Sequence, residues 1–83
     1  MKILVMDDEE LAIKRLARLL DELKYDYKVA NNKEEFDSLD KEHNFDIYIL
    51  DINMPEISGL ELAQEIFALN AQAFVIFQTA YEE

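Results

Sequence analysis

Short apolar runs alternate along the chain with longer stretches in which apolar residues recur at helical spacing. Four of the runs contain β-branched or aromatic residues and are bounded by charged or polar ones: residues 2–6, 26–30, 46–50 and 73–77. Such runs are typical of β-strands, and nearly unbroken ones are typical of parallel sheets covered on both faces. The pattern therefore predicts four strands. The last of them, apolar at every position, should be covered on both faces.

Three predicted helices separate these strands. In the first, from Glu9 to about Leu23, one apolar stripe should face the sheet, and it consists of Ala12, Leu16, Leu19, Leu20 and Leu23. Asn32 can cap the second helix together with Glu35, at the spacing of a capping box. Ser58 and Glu61 repeat that spacing before the third helix. The second helix should turn Phe36 and Leu39 inward, and the third should run through Leu60, Ala63, Ile66 and Phe67.

The predicted elements follow the order strand, helix, strand, helix, strand, helix, strand. This alternation predicts an α/β fold with a parallel sheet and right-handed crossovers. In such sheets ligands bind beyond the carboxyl ends of the strands. The first strand leads into Asp7 and Asp8, and the third leads into Asp51. The fourth leads into Gln78 and Thr79. If these strands are neighbours, their polar residues converge on one pocket.

Composition limits the possible classes of function. The chain has 83 residues, enough for one small domain, and 51% of them are hydrophobic, which allows a packed core. A formal net charge of -11 disfavours direct binding to nucleic acid and to anionic membranes, because like charges repel. The absence of cysteine excludes disulfides and thiolate metal sites. No apolar stretch is long enough to cross a membrane, so the sequence predicts a soluble, cytoplasmic protein.

Three carboxylates in one pocket would repel one another. Two unit charges ~4 Å apart at an effective dielectric constant near 20 interact by about 4 kcal/mol. Either one carboxylate takes up a proton, or a cation such as Mg²⁺ or Mn²⁺ lies among them. With a bound cation, Asp51 can act as a nucleophile toward a phosphoryl group, and Thr79 can donate to a phosphoryl oxygen. The simpler alternative is that Asp51 is only a turn or capping residue.

Several of these residues together resemble a known family, the receiver domain of two-component response regulators. The matching features are the acidic pair Asp7-Asp8, the segment DINMPEISG at residues 51–59, and the pair Thr79-Ala80. The resemblance implies a flavodoxin-like fold. The segments DDEELAIKRLARLL and TAYEE further resemble the subfamily that carries a LytTR-type DNA-binding domain, which implies a transcription regulator as the whole protein.

The resemblance also implies a role for each site residue. Asp51 would be the phosphoacceptor, and Mg²⁺ would be bound there by Asp51 and directly by Asp8. Asp7 would act on the metal mainly through water, and Asn53 would offer its backbone carbonyl. Thr79 would be the switch hydroxyl. The implied partner is a histidine kinase or a phosphotransfer protein, and the implied module is not a turnover enzyme.

The resemblance covers only part of the family's domain. It implies that a fourth helix, a fifth strand ending in a lysine and a fifth helix would follow residue 83, so residues 1–83 are expected to be a truncated single domain without an effector domain. The last lysine here is Lys41, which predicts impaired phosphotransfer. Without a fifth strand the fourth becomes an edge, and an apolar edge favours self-association, most simply as a two-fold dimer.

Two other functions remain as alternatives. One is an inert fragment that dimerises and has no phosphotransfer activity. The other is a phosphohydrolase of the haloacid-dehalogenase type, in which a second aspartate two residues after the nucleophile acts as acid and base. Here that position is Asn53, whose amide cannot exchange protons in this way. Glycine-rich phosphate loops are excluded because the chain has a single glycine.

Overall fold

The protein is described by a computed structural model over residues 1–42 and 44–78. Its elements in chain order are β1 (Lys2–Met6), α1 (Glu10–Glu22), β2 (Asp26–Ala30), α2 (Lys33–Leu39), β3 (Ile47–Asp51), α3 (Gly59–Leu69) and β4 (Phe74–Gln78). The strands form one parallel sheet in the order β2-β1-β3-β4. The predicted α/β fold is therefore confirmed. None of the described helices combines the length and the apolar character that crossing a bilayer requires.

Two apolar clusters cover the two faces of the sheet. Leu4 and Tyr48, both fully buried, face a large cluster that includes Phe36 of α2 and the inner side of α3. Val5 on the inner strand β1 faces the other way, into a smaller cluster with Leu20 of α1. Successive side chains along a strand point to opposite faces of the sheet, so one short apolar strand contributes residues to both clusters.

Helix α1 buries a narrower stripe than the sequence predicts. Leu19 and Leu23 were expected to face inward, but they are 50% and 54% exposed, whereas Leu20 is buried and Leu16 is partly buried. Leu19 lies about 100° around the helix from Leu20, outside the contact with the sheet. Leu23 is the C-cap, after which Lys24 takes a φ of 60° and the chain leaves the helix. These two predictions are wrong for that reason.

Helices α2 and α3 likewise bury some of their apolar residues and expose others. Phe36 is buried as predicted, and the buried residues of α3 include Ala63, Ile66 and the fully buried Leu62, which was not singled out. The inward prediction was wrong for Leu39, which is exposed, and Leu60 and Phe67 of α3 are exposed as well. Each helix contacts the sheet along one face only, so an apolar side chain beside that face stays in solvent.

Both predicted N-caps are observed at the helix starts, each with the side-chain bond that one half of a capping box requires. Asn32 Oδ1 accepts a hydrogen bond from the Glu35 N–H at 2.8 Å, and Ser58 Oγ accepts one from the Glu61 N–H at 3.1 Å. The Glu35 carboxylate in turn accepts from the Asn31 N–H, one residue before the cap. These bonds satisfy backbone donors at the starts of α2 and α3.

Strands β3 and β4 each lie one residue later than predicted. As a result Asp51 and Gln78 are themselves the last residues of their strands, and they face each other in the ladder. Among the described strands β4 has one neighbour, which confirms its predicted position at the edge. The expectation that both of its faces are covered is wrong, since Phe74 is 72% exposed and Ile76 is 49% exposed.

Candidate metal centre

The register of the sheet brings three carboxylates to one edge. Strand β1 ends at Met6, directly before Asp7 and Asp8, and Asp51 is the last residue of the adjacent strand β3. One carboxylate oxygen from each of the three aspartates lies within 4.8 Å of the other two. The structure therefore brings these three predicted residues together at the carboxyl edge.

The three aspartates differ in burial. Asp7 is buried, Asp51 is half-buried and Asp8 is exposed. Asp7 is held by two donors, because its Oδ1 accepts from the Glu9 N–H at 2.8 Å and its Oδ2 accepts from Gln78 Nε2 at 2.9 Å. The site therefore has a fixed inner wall at Asp7 and an open rim at Asp8.

The electrostatics of the site disfavour a further negative charge. Burial raises the pKa of Asp51 above its usual value, a hydrogen bond from the Asn53 N–H partly offsets this, and the charges of Asp7 and Asp8 raise the pKa further. None of the ion pairs among residues 1–42 and 44–78 involves these three aspartates. A cation would relieve the repulsion, and carboxylate oxygens are the ligands that Mg²⁺ and Mn²⁺ prefer.

The remaining predicted site residues are only partly described. The Asn53 N–H donates to Asp51 Oδ1 at 3.2 Å, so its backbone lies beside the cluster. The role predicted for its carbonyl stays a prediction. Thr79 and Ala80 lie outside the described residues, and the predicted switch hydroxyl stays a prediction as well.

The loop after Asp51 turns back quickly. The Gly59 N–H donates to the Ile52 carbonyl at 2.9 Å, and Met54 and Ile57 pack against the larger apolar cluster. These contacts hold both ends of the loop near the sheet. The side chain of Asp51 is consequently positioned by a strand on one side and by an anchored loop on the other.

Gln78 is the residue at this site to which the sequence pattern assigned no role. It follows the apolar run of the fourth strand, and its amide reaches Asp7, 71 residues away in sequence. The available signal was a long polar side chain at the carboxyl end of a predicted strand. The contact with Asp7 itself depends on the order of the strands in the sheet, which a polar residue after an apolar run does not reveal.

Residues 3–83 match the response regulator receiver domain family. The positive alginate biosynthesis regulatory protein of Pseudomonas aeruginosa is 42% identical over 87 residues, covering 100% of this chain and 35% of that protein. The sensory transduction protein LytR of Staphylococcus saprophyticus is 36% identical, covering 99% of this chain and 33% of that protein. The chain thus spans about a third of the length of the curated relatives it matches.

Solved structures agree with this family. The response regulator TrrA of Thermotoga maritima, in complex with Mg²⁺-BeF, is 43% identical with a TM-score of 0.86, over 98% of this chain and 70% of that one. The same regulator, in complex with the histidine kinase ThkA, gives a TM-score of 0.84, over 99% of this chain and 71% of that one. Receiver domains of response regulators are signalling modules rather than turnover enzymes. This chain belongs to the receiver domain family of two-component response regulators.

Proposed function

We propose that this chain accepts a phosphoryl group on Asp51, with Mg²⁺ bound beside it and a histidine kinase or phosphotransfer protein as the donor. The observation that carries the proposal is the meeting of Asp7, Asp8 and Asp51 within 4.8 Å at the carboxyl edge of the sheet. The relative TrrA, 43% identical, has been solved with Mg²⁺-BeF and also with a histidine kinase, which supports the same cation and class of partner here.

The donor set fits a small divalent cation. Carboxylate and carbonyl oxygens are hard ligands, and Mg²⁺ takes one or two carboxylates while keeping several waters. We assign Asp8 and Asp51 as direct ligands, Asp7 as a ligand mainly through water, and Asn53 as a ligand through its backbone carbonyl. Mn²⁺ suits the same oxygens. The exposed position of Asp8 and the burial of Asp7 are consistent with this division.

The chemistry assigned to Asp51 is a simple displacement. One of its oxygens forms a bond to phosphorus as the bond between phosphorus and the donor nitrogen breaks, and the departing imidazole takes up a proton from water. Bound Mg²⁺ supplies positive charge that offsets the charge of the transferring group. The Asn53 N–H on Oδ1 fixes the carboxylate and leaves Oδ2 to react. Thr79 is proposed as the hydroxyl that donates to the phosphoryl group.

Transfer by the 83-residue chain should be slow. All eight lysines and arginines precede Asp51 in the sequence, the last being Lys41, and no ion pair among the described residues reaches the acidic cluster. Mg²⁺ would then be the main positive charge available to the phosphoryl group. We propose that residues 1–83 act as one receiver unit and that the regulatory output, of the LytTR type, is carried by other parts of the whole protein.

The test of this function is phosphorylation in the absence of a kinase. The chain is incubated with Mg²⁺ and acetyl phosphate, and the intact mass is measured over time. A gain of one phosphoryl group that is lost in Asp51→Asn supports the proposal. Multiple turnover of a phosphate ester would favour a hydrolase. No adduct, together with fluorine NMR signals of beryllofluoride that do not change when the chain and Mg²⁺ are added, would contradict the proposal and favour an inert fragment.

A second property is proposed for the edge strand. Strand β4 exposes Phe74 and Ile76, and its outer edge has no partner among the described strands, so a second copy of this chain can extend the sheet there. The net charge of -11 opposes such contact at low salt and also disfavours nucleic acid as the partner. Light scattering should show a dimer at high micromolar concentration, and the dimeric fraction should increase with added salt. Ile76→Lys should abolish it, and a monomer at every concentration would contradict it.

A further inference from the structure

Gln78 connects strands that are not neighbours. It is the last residue of β4, and its Nε2 donates to Asp7 Oδ2 at 2.9 Å just beyond the end of β1. Strand β3 lies between these two strands, so the side chain crosses the carboxyl end of β3. Gln78 faces Asp51 in the ladder, and its carbonyl accepts from the Ile52 N–H at 3.3 Å. One residue therefore contacts both the buried ligand candidate and the segment of the nucleophile.

The amide suits the carboxylate that it contacts. Asp7 is 2% exposed, and each of its oxygens already accepts one hydrogen bond, from Gln78 and from the Glu9 N–H. A carboxylate has about four acceptor positions, so two remain for a cation or its water. A neutral amide fixes the carboxylate without adding a positive charge that would compete with the cation.

We propose that Gln78 is a positioning residue for the cation site: it holds Asp7 in the orientation that a divalent ion requires and links occupancy of the site to the carboxyl end of β4. The inference rests on the proposed function, since it requires that a cation binds at Asp7, Asp8 and Asp51. Hydrogen-bond partners of metal ligands typically change metal affinity by about 10–100-fold when removed. Asp7 keeps the Glu9 N–H, so the effect should lie near the lower end of that range.

The coupling has a second consequence. If the bond from Gln78 strengthens cation binding, then cation binding strengthens the bond by the same factor. The residue after Gln78 is Thr79, the proposed switch hydroxyl. Occupancy of the site would thus hold the Gln78 side chain more firmly, one residue before that hydroxyl in the sequence.

The test measures Mg²⁺ affinity in the full chain by NMR titration. Gln78→Met keeps the length of the side chain and removes the donor, and Gln64→Met makes the same change on the exposed side of α3. We expect the dissociation constant for Mg²⁺ to rise about tenfold in Gln78→Met and to stay within about twofold in Gln64→Met. Melting in EDTA and in Mg²⁺ separates the roles. A purely structural residue lowers both melting temperatures equally, whereas a positioning residue shrinks the increment that Mg²⁺ adds.

The wild-type chain provides a readout that does not depend on a variant folding. The side-chain amide signals of Gln78 should shift on Mg²⁺ addition with the same midpoint as the backbone signals of Asp8 and Asp51. The inference would be overturned, and the proposed site left intact, by either of two results. One is that the Gln78 signals do not shift on Mg²⁺ addition, and the other is that Gln78→Met binds Mg²⁺ as tightly as wild type. A wild-type chain that does not bind Mg²⁺ at millimolar concentration would overturn both.

Discussion

Gly59 packs directly against the backbone of Asp51. A Cβ atom placed on Gly59 would overlap the Asp51 carbonyl oxygen and would lie 3.0 Å from the Ile52 Cα. Both obstacles are backbone atoms, so neither can rotate away as a flexible side chain can. The start of α3 and the end of β3 therefore approach as closely as they do because residue 59 has no side chain.

Gly59→Ala should destabilise the fold by about 1–3 kcal/mol, because an added methyl group in a packed region forces the backbone apart. The same shift moves Asp51, so Mg²⁺ binding should weaken as well. Chemical denaturation and Mg²⁺ titration measure the two effects. In an unobstructed helix the same substitution stabilises by about 1 kcal/mol, so an increase in stability would contradict the close approach.

Asp51→Asn should raise the melting temperature of the metal-free chain by a few degrees. Burial and the charges of Asp7 and Asp8 raise the pKa of Asp51, which means that its ionised form is unfavourable in the fold. The amide removes that charge, and it should also abolish most of the stabilisation that Mg²⁺ provides. Asp26→Asn, at an exposed position, changes the net charge equally and is the control for general repulsion. Equal shifts of the melting temperature in both variants would show that the effect comes from the net charge and not from the site around Asp51.

Tyr48→Phe should cost about 1–3 kcal/mol of unfolding free energy, because a buried acceptor loses a donor. The Tyr48 hydroxyl is fully buried and donates to Asp40 Oδ1 at 2.6 Å. Urea denaturation at neutral pH measures the loss. Tyr25→Phe, at an exposed ring, is the matched control and should change stability little. A stability of Tyr48→Phe equal to that of wild type would show that the bond contributes nothing net.

The same tyrosine predicts how stability falls at alkaline pH. Burial first, and then the hydrogen bond to Asp40, raise the pKa of Tyr48 far above its ordinary value near 10. The folded chain therefore keeps the proton that the unfolded chain loses. The stability that Tyr48 contributes is complete below pH ~10 and is lost as pH rises above it. Denaturation between pH ~9 and ~11 should show a steeper loss for wild type than for Tyr48→Phe, and parallel curves would contradict this.

Lys33 should link α2 to α3 weakly. Its ammonium group lies 2.6 Å from Asp37 Oδ1 and 3.5 Å from Glu65 Oε1, and its side chain is partly buried. Lys33→Gln should cost about 0.5–1 kcal/mol, and less at high salt. Lys14→Gln, which breaks the exposed pair with Glu10, should cost less. Denaturation at low and high salt measures both, and a salt-independent loss at Lys33 would indicate packing rather than charge.

The strands and the three aspartates could be predicted because they depend on local pattern and on a general rule about strand ends. The observed β3 lies one residue later than the predicted strand, because Asp51 remains in the ladder through its pairing with Gln78. The inward face of α1 was misjudged at Leu19 and Leu23, because hydrophobicity alone does not reveal where a helix meets its sheet. The sequence predicted that Gln78 and Asp7 reach one pocket if their strands are neighbours. It did not predict the bond between them, because that bond crosses the end of β3 and depends on the exact strand order.

The parallel arrangement also places a position suitable for chemical attachment at the edge of the sheet opposite the acidic site. All four strands start at the opposite edge, where the Lys2 N–H donates to Asp46 Oδ2 at 2.8 Å, and that edge lies about 15 Å from the aspartates at roughly 3.3 Å per residue. Gln72, exposed in the turn before β4, lies at this far edge. A fluorescent dye or a sensor surface attached there would leave the acidic end open to solution, so that ion binding and partner capture can be followed on immobilised protein.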